Sequence, residues 1–280
     1  MNSLSVIILT YNEEKHIARC IENIKKVASK IFVIDSYSTD RTVEIAKSLG
    51  AEVYQNPFVN HSIQFNWALE NCLIDTAWTM RMDCDEYLLE GLITEINTVL
   101  VDAPDHVGGY ILKRRVIFMN KWIRYGGFYP HNLLRIWRTG KAKVEDRWMD
   151  EHVVLEEGDT ITLKNDMVDH NLNDLTWWIA KHNNYASREV IDLMHIENKT
   201  TSSQNVESTL SGEQFSRKRW IKEKVYSKVP LFVRPFIYFT YRYVFLLGFL
   251  DGVPGLIWHF LQGFWYRFLV DAKMYEKKIK

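Results

Sequence analysis

The first hundred residues alternate short, nearly unbroken apolar runs with longer amphipathic ones. Residues 4–9 read Leu-Ser-Val-Ile-Ile-Leu, the pattern of a strand covered on both faces. After Thr10-Tyr11-Asn12, residues 13–28 place Ile17, Ile21 and Ile24 at helical spacing and predict a helix. Residues 31–34 predict a second strand that ends at Asp35. A polar turn follows, in which Asp40 can cap a helix running to Leu49, and Gly50 stops that helix. Residues 52–54 predict a third strand, 63–73 a helix, 78–82 a fourth strand ending at Asp83-Cys84-Asp85-Glu86, and 92–100 a further helix.

Strand and helix in strict alternation predict the α/β class with a doubly wound, mostly parallel sheet. Ligands of such sheets bind beyond the carboxyl ends of the strands. Three of these ends are polar (Thr10-Tyr11-Asn12, Asp35, and Asp83 with Asp85) and are expected to converge on one crevice. Residues 110–148 read as strands and loops around a lid, with Gly126-Gly127 as flexible points. Residues 175–194 predict a helix carrying Leu175, Trp178, Ile179, Tyr185 and Ala186 on one stripe. Residues 198–214 are polar and Ser/Thr-rich, which predicts a linker or mobile loop. The expected division is a catalytic domain at 1–197, the linker at 198–214, and an aromatic-rich helical tail at 215–280.

Composition narrows the classes. A chain of 280 residues, 47% hydrophobic, can bury a full core. Lys+Arg and Asp+Glu both number 35, so the basic excess of a nucleic-acid binder is missing. The three cysteines, Cys20, Cys72 and Cys84, have no framework spacing, which argues against a disulfide scaffold. The start of the chain lacks a charged segment followed by a cleavage site, so no secretory signal is expected. The expected location is cytoplasmic, peripheral on the inner face of the cell membrane. Asn198-Lys199-Thr200 then matches a glycosylation acceptor only by accident.

The candidate chemistry lies in the carboxylates. Asp83-Cys84-Asp85 places two of them one residue apart at a strand end. Mg²⁺ or Mn²⁺ is commonly held by one or two carboxylates plus substrate phosphates. The same tripeptide also suits a solvated turn with a helix cap. Asp35 can accept a hydrogen bond from a base or ribose, whereas Asp40 reads as a helix cap. His131, His152, His170 and His182 follow no compact zinc spacing; His131 and His152 read at most as acceptor contacts.

Residues 4–13 (Leu-Ser-Val-Ile-Ile-Leu-Thr-Tyr-Asn-Glu), 33–42 (Val-Ile-Asp-Ser-Tyr-Ser-Thr-Asp-Arg-Thr) and 83–86 (Asp-Cys-Asp-Glu) together resemble family-2 glycosyltransferases with a GT-A fold. The resemblance covers about the first third of the chain. It implies a nucleotide-diphosphate-sugar donor, usually UDP-linked, and inversion at the anomeric carbon. By the same likeness Thr10, Asn12 and Glu13 match the loop that flanks the nucleotide, and Asp35 the acid that contacts the base. Gln64 and Asn66 fall in the helix that touches the donor. Asp83 matches the acid on the donor sugar or ribose, and Asp85 the metal ligand. The family often has Asp-Gly or Asp-Asp where this chain has Ser36-Tyr37, which puts a base contact by Ser36 in doubt. Inversion needs a general base on the acceptor hydroxyl, and Asp150 and Glu151, before His152, are the candidates. The chain looks more like the lipopolysaccharide-core β-glucosyltransferase branch, a likeness that also rests on residues 132–141, in which Arg135 and Arg138 could clamp phosphates.

The tail carries the partner expectation. Residues 217–224 are basic with Trp220 interleaved, and residues 236–268 are crowded with Phe, Tyr and Trp. Arg242, Asp251, His259 and Arg267 interrupt the apolar runs, so interfacial amphipathic helices fit better than a spanning one. The expected acceptor is a lipid-linked or envelope saccharide. A subunit contact that makes a homo-oligomer would bury the same aromatics. Two rival readings remain: a nucleotidyltransferase, for which residues 10–14 lack the Gly-rich basic loop, and a membrane-associated scaffold with a degenerate nucleotide site.

Overall fold

The computed structural model describes residues 4–145, 152–197 and 229–280. Its strands are β1 (Leu4–Thr10), β2 (Lys30–Asp35), β3 (Glu52–Gln55), β4 (Trp78–Asp83), β5 (Glu86–Leu88), β6 (Val107–Phe118), β7 (Lys121–Ile123), β8 (His131–Arg138), β9 (Ala142–Val144), β10 (Val153–Leu155) and β11 (Asp159–His170). The first five helices are α1 (Ile17–Ile24), α2 (Thr42–Ser48), α3 (His61–Asn71), α4 (Glu90–Val99) and α5 (Leu175–Glu197). After residue 229 come α6 (Arg234–Thr240), a π-helical turn (Tyr241–Phe245), a 3₁₀ turn (Gly248–Asp251), α7 (Gly252–Trp258), a second π-helical stretch (His259–Trp265) and α8 (Tyr266–Ile279).

The described strands form a mixed nine-stranded sheet in the order β3-β2-β1-β4-β8-β6-β11-β5, with β7 paired to β6. The doubly wound half, β3-β2-β1-β4, is parallel throughout. The pairs β4–β8, β8–β6 and β11–β5 are antiparallel, and β9 and β10 form a separate hairpin. This is a GT-A arrangement. In β1, Leu4, Val6 and Ile8 enter the core under α1, α2 and α4, while Ile7 enters the core under α3 with Phe32, Phe65 and Trp137. Burial on both faces is why the run from Leu4 to Leu9 barely alternates.

Two compact units emerge. The first holds residues 4–115, 131–145 and 152–172, with the sheet and α1 to α4. The second holds 116–130, 173–197 and 229–280. The expected boundary at residue 197 is therefore not where the units divide. Ala186 and Val190 of α5 are buried against Tyr266, Val270 and Met274 of α8, and Trp178 packs with Val116, Phe118 and Trp258. Thus α5 belongs to the C-terminal helices. The expected linker at 198–214 lies outside the described residues.

The lid reading also changes. Residues 110–118 and 131–138 are strands, and the loop between them is pinned inside the second unit. Asp251 accepts the backbone N–H groups of Arg124 and Tyr125 at 3.2 and 2.9 Å. The Gly126 carbonyl accepts Arg242 Nε. Gly126, at φ +69°, faces His259 so closely that a Cβ there would lie 2.0 Å from the ring.

Candidate active site

The parallel strands deliver their polar ends as expected. Leu9 pairs with Asp83 and Thr10 with Asp35, so the β1, β2 and β4 ends lie side by side. The two loops beyond β1 and β2 are laced together. Asn12 Oδ1 accepts the Thr39 N–H at 2.8 Å, and the Asn12 N–H reaches Ser38 Oγ at 2.8 Å. Asn12 and Tyr37 both hold positive φ, +54° and +61°. Tyr37 thus occupies the left-handed position that a glycine would fill without strain.

Asp35 is fully buried and accepts from Thr10 Oγ1, Ser38 N, Ser38 Oγ and Gln55 Nε2. Four donors use up a carboxylate's acceptor directions. Asp35 thus shapes the loop that borders the crevice, its oxygens met by donors from β1, the β2 loop and β3. Thr10 is buried with it. Glu13 is engaged in a similar way: its Oε2 meets Nδ1 of buried His16 at 2.6 Å, and His16 Nε2 accepts the Leu172 N–H at 2.8 Å. These contacts fasten the β1 loop to the end of β11.

In α3, Gln64 is fully buried between Asn56 and Ser36. Asn66 bonds the backbone of Val144 at both ends of its amide. Their expected donor contacts are replaced by structural ones, which lock α3 to its neighbours.

The carboxylate cluster is richer than its tripeptide. Asp83, still 36% exposed in its side chain, faces Arg135 at 3.2 Å and Arg81 at 3.6 Å. Fully buried Glu86 meets Arg135 at 2.6 Å and Arg114 at 3.4 Å, and Arg114 also faces Asp169 at 3.5 Å. Three guanidinium groups thus face three carboxyl groups. Burial works against ionised Asp83, but Arg135, Arg81 and Arg114 outweigh it and hold the carboxyl well below its usual range. Burial pushes Glu86 up, to about 8, against the pull of Arg135. Arg135, expected at the phosphates, is buried and pairs through Nη2 with both Asp83 and Glu86. Arg138 is corrected by position. It pairs with Trp78 at the opposite end of β4 from Asp83, binds the Val107 and Pro104 carbonyls, and lies over the Trp78 ring.

Asp85 is half-buried. Asn171 donates to its Oδ2 at 2.9 Å, and Arg19 and the His170 N–H hold its backbone carbonyl. His131 stands at the same strand edge, with Nδ1 3.0 Å from Arg114. His152 follows the β9 turn, with Nδ1 3.2 Å from Glu145. Asp150 and Glu151 lie outside the described residues. Among the described residues no group of three or more His, Cys, Asp or Glu is placed to hold a metal alone. Asp85 beside partly open Asp83 nevertheless suits a hard divalent cation that takes its remaining oxygens from phosphate and water.

Sequence reasoning missed Arg19, Arg81, Arg114, Glu86, Glu145 and Asp169 as members of this region. Glu86 and Arg81 had a local signal, one directly after Asp85 and the other two residues before Asp83 on β4. Arg19 of α1, Arg114 of β6, Asp169 of β11 and Glu145 come from distant segments.

The sequence matches the family model described as Glycosyl transferase family 2 over residues 5–168. An uncharacterized glycosyltransferase of Rickettsia typhi is 29% identical over 100% of this chain and 89% of its own length. The lipopolysaccharide core biosynthesis glycosyltransferase LpsC of Rhizobium meliloti is 26% identical over 98% of this chain and 92% of its own. Two solved structures share the fold. The mannosyltransferase PcManGT of Pyrobaculum calidifontis, with GDP-Man and Mn²⁺, has a TM-score of 0.56 at 14% identity, over 99% of this chain and 88% of its own. TarS of S. aureus, with UDP-GlcNAc, has a TM-score of 0.50 at 13% identity, over 99% and 92%.

Proposed function

Because the chain belongs to glycosyl transferase family 2, we propose that it is an inverting, metal-dependent enzyme that moves a sugar from a UDP-sugar to a lipid-linked or envelope saccharide. The observation that carries this reading is the pair Asp83 and Asp85 at the end of β4, beside the interlocked β1 and β2 loops. Asp85, with Asp83 beside it, would hold Mg²⁺ or Mn²⁺, which would neutralise charge on the donor diphosphate. The arginines around Asp83 and Glu86 keep those carboxylates fixed before the donor arrives, so little reorganisation is needed on binding. The base that takes the acceptor proton belongs to the segment after β9, where Asp150 and Glu151 precede His152.

The acceptor class is supported by LpsC, whose name places it in lipopolysaccharide core biosynthesis. It is also supported by the second unit. Phe236, Ile237, Phe245, Phe249, Leu250 and Val253 all expose large apolar side chains. Among the described residues no single helix is long and apolar enough to cross a membrane; a bent pair, Arg234–Phe245 with Gly248–Ile279, meets the length and composition test together. An apolar face of this kind fits the interface of a bilayer, on the inner side of the cell membrane in our reading. The nucleotidyltransferase and scaffold readings have no observation in their favour.

Calorimetry of UDP with and without Mn²⁺ tests the donor site. Binding should require Mn²⁺ in the wild type and be lost in Asp85→Ala, with an unchanged thermal midpoint. Binding of GDP but not UDP would replace the nucleotide, and binding unaffected by Asp85→Ala would remove the metal assignment.

A further inference from the structure

The tripeptide Asp83-Cys84-Asp85 is gripped from outside its own strand. Helix α1 supplies one grip. Arg19 Nη2 donates to the Asp85 carbonyl at 3.0 Å, and the Cys20 thiol donates to the Asp83 carbonyl at 3.8 Å. One turn on, the Asn23 amide donates to the Leu88 carbonyl at 3.0 Å and accepts the Leu88 N–H at 2.6 Å. Residues three and four apart lie together on a helix, so Arg19, Cys20 and Asn23 stitch one face of α1 along residues 83–88.

The end of β11 supplies the other grip. Asp169 pairs with Glu86 in the antiparallel β11–β5 ladder, and the next residue, His170, donates its N–H to the same Asp85 carbonyl at 3.0 Å. Arg19 Nη2 also reaches the His170 carbonyl at 2.7 Å, and its guanidinium lies over the Tyr87 ring, 5.1 Å from the centroid. One guanidinium therefore joins α1 to Asp85 and to the end of β11. Asn171 turns its amide to the Asp85 side chain and donates to Oδ2 at 2.9 Å.

The two carboxylates of the tripeptide are thus held differently. Asp83 faces the cations Arg135 and Arg81, which offset its charge. Asp85 is met by a neutral amide, while Arg19 turns its donors to carbonyls. The amide fixes the direction of the Asp85 carboxylate without neutralising it. A hard divalent cation favours a ligand of this kind, charged and oriented by an outer partner.

We infer that Asn171 and Arg19 are positioning residues for a divalent cation on Asp85. Asn171 holds Oδ2 so that Oδ1 is presented to the cation, and Arg19 fixes the Asp85 backbone between α1 and β11. This inference rests on the metal-dependent reading above.

The test is Mn²⁺ binding to the full chain, with UDP present and again with GDP, read from the EPR signal of free Mn²⁺. Asn171→Ala should raise the Mn²⁺ Kd about 10- to 100-fold. Arg19→Met, which keeps the apolar stem and removes the donors, should raise it as well. Asn23→Ala is the control, because it loosens the same face of α1 without touching Asp85; it should lower the thermal midpoint and leave the Mn²⁺ Kd unchanged. Wild-type Mn²⁺ affinity in Asn171→Ala overturns the role of Asn171, and the same result in Arg19→Met overturns that of Arg19. An Asn23→Ala protein that weakens Mn²⁺ as much as Asn171→Ala overturns both, since general loosening would then account for the effect. Asp85→Ala separates the inference from its premise. A wild type that holds Mn²⁺ no more tightly than Asp85→Ala sinks the metal reading itself, and the inference falls with it.

Discussion

Replacing Arg135 by methionine would leave buried Glu86 and half-open Asp83 without their shared cation. Breaking one side of such a buried ion-pair network costs about 3–5 kcal/mol, so Arg135→Met should lower the urea midpoint sharply, with any loss of donor binding secondary to that. Arg138→Ala makes the contrast. Its guanidinium serves backbone carbonyls and the Trp78 ring at the far end of β4, so it should cost about 1–2 kcal/mol and leave UDP affinity unchanged. The two arginines lie three residues apart in one sequence motif. Nothing in that motif distinguishes an ion-pair partner beside the crevice from a brace at the opposite edge; the antiparallel pairing of β8 with β4 does.

At the scale of elements, periodicity located the strands and helices of the doubly wound half within a few residues. Its largest error there was α1, expected over 13–28 and found at Ile17–Ile24. Residues 13–16 instead form the turn in which Glu13 and His16 pair, a tertiary demand that overrides helical spacing. The loop from β7 to β8 was read as mobile because of Gly126-Gly127. Those glycines are there for close packing. A Cβ on Gly126 would meet His259 Cε1 at 2.0 Å, and φ is +69°. Gly126→Ala should cost about 2–4 kcal/mol from overpacking and left-handed strain, checked by thermal or urea denaturation; a neutral result would mean that this loop is loosely held.

At the scale of the whole molecule, acid and lipid are the two informative probes. Burial lowers both His182 and His259 from 6.5 to about 4, in His182 against a hydrogen bond to the Trp178 carbonyl. Between those values the unfolded histidines bind protons that the folded ones refuse, so their contribution is full above about pH 6.5 and is lost as pH falls toward 4, while Glu86, raised to about 8, contributes in the opposite direction. Each histidine contributes up to about 3 kcal/mol. The test is therefore a difference: from pH 7 to pH 5 the urea midpoint of His259→Phe should fall less, or rise more, than that of the wild type. Asp83 does not blur this window, because its depressed pKa keeps its contribution intact until the pH falls below the ordinary carboxylate range. For lipid, deleting residues 215–280 is a poor test, since Trp258, Tyr266 and Val270 are part of the core that covers α5. Phe245→Ser with Phe249→Ser changes only exposed side chains. It should weaken binding to anionic vesicles by on the order of tenfold or more without moving the thermal midpoint; equal binding would remove the membrane role of this face.

The sequence by itself determined the α/β class, the order of the first four strands, and the meeting of Thr10, Asp35 and Asp83-Cys84-Asp85 at one edge. These follow from hydrophobic period and from the rule that parallel strands end on the same side, both local or topological properties. Tertiary structure decided which of those polar groups stay available. Asp35, Gln64 and Asn66 proved to be engaged by other groups of the protein, because a buried polar group must find partners and often finds them across the fold. The pairing of Glu145 with His152 and the joining of α5 to the last helices were likewise fixed only by chain segments that meet at long range.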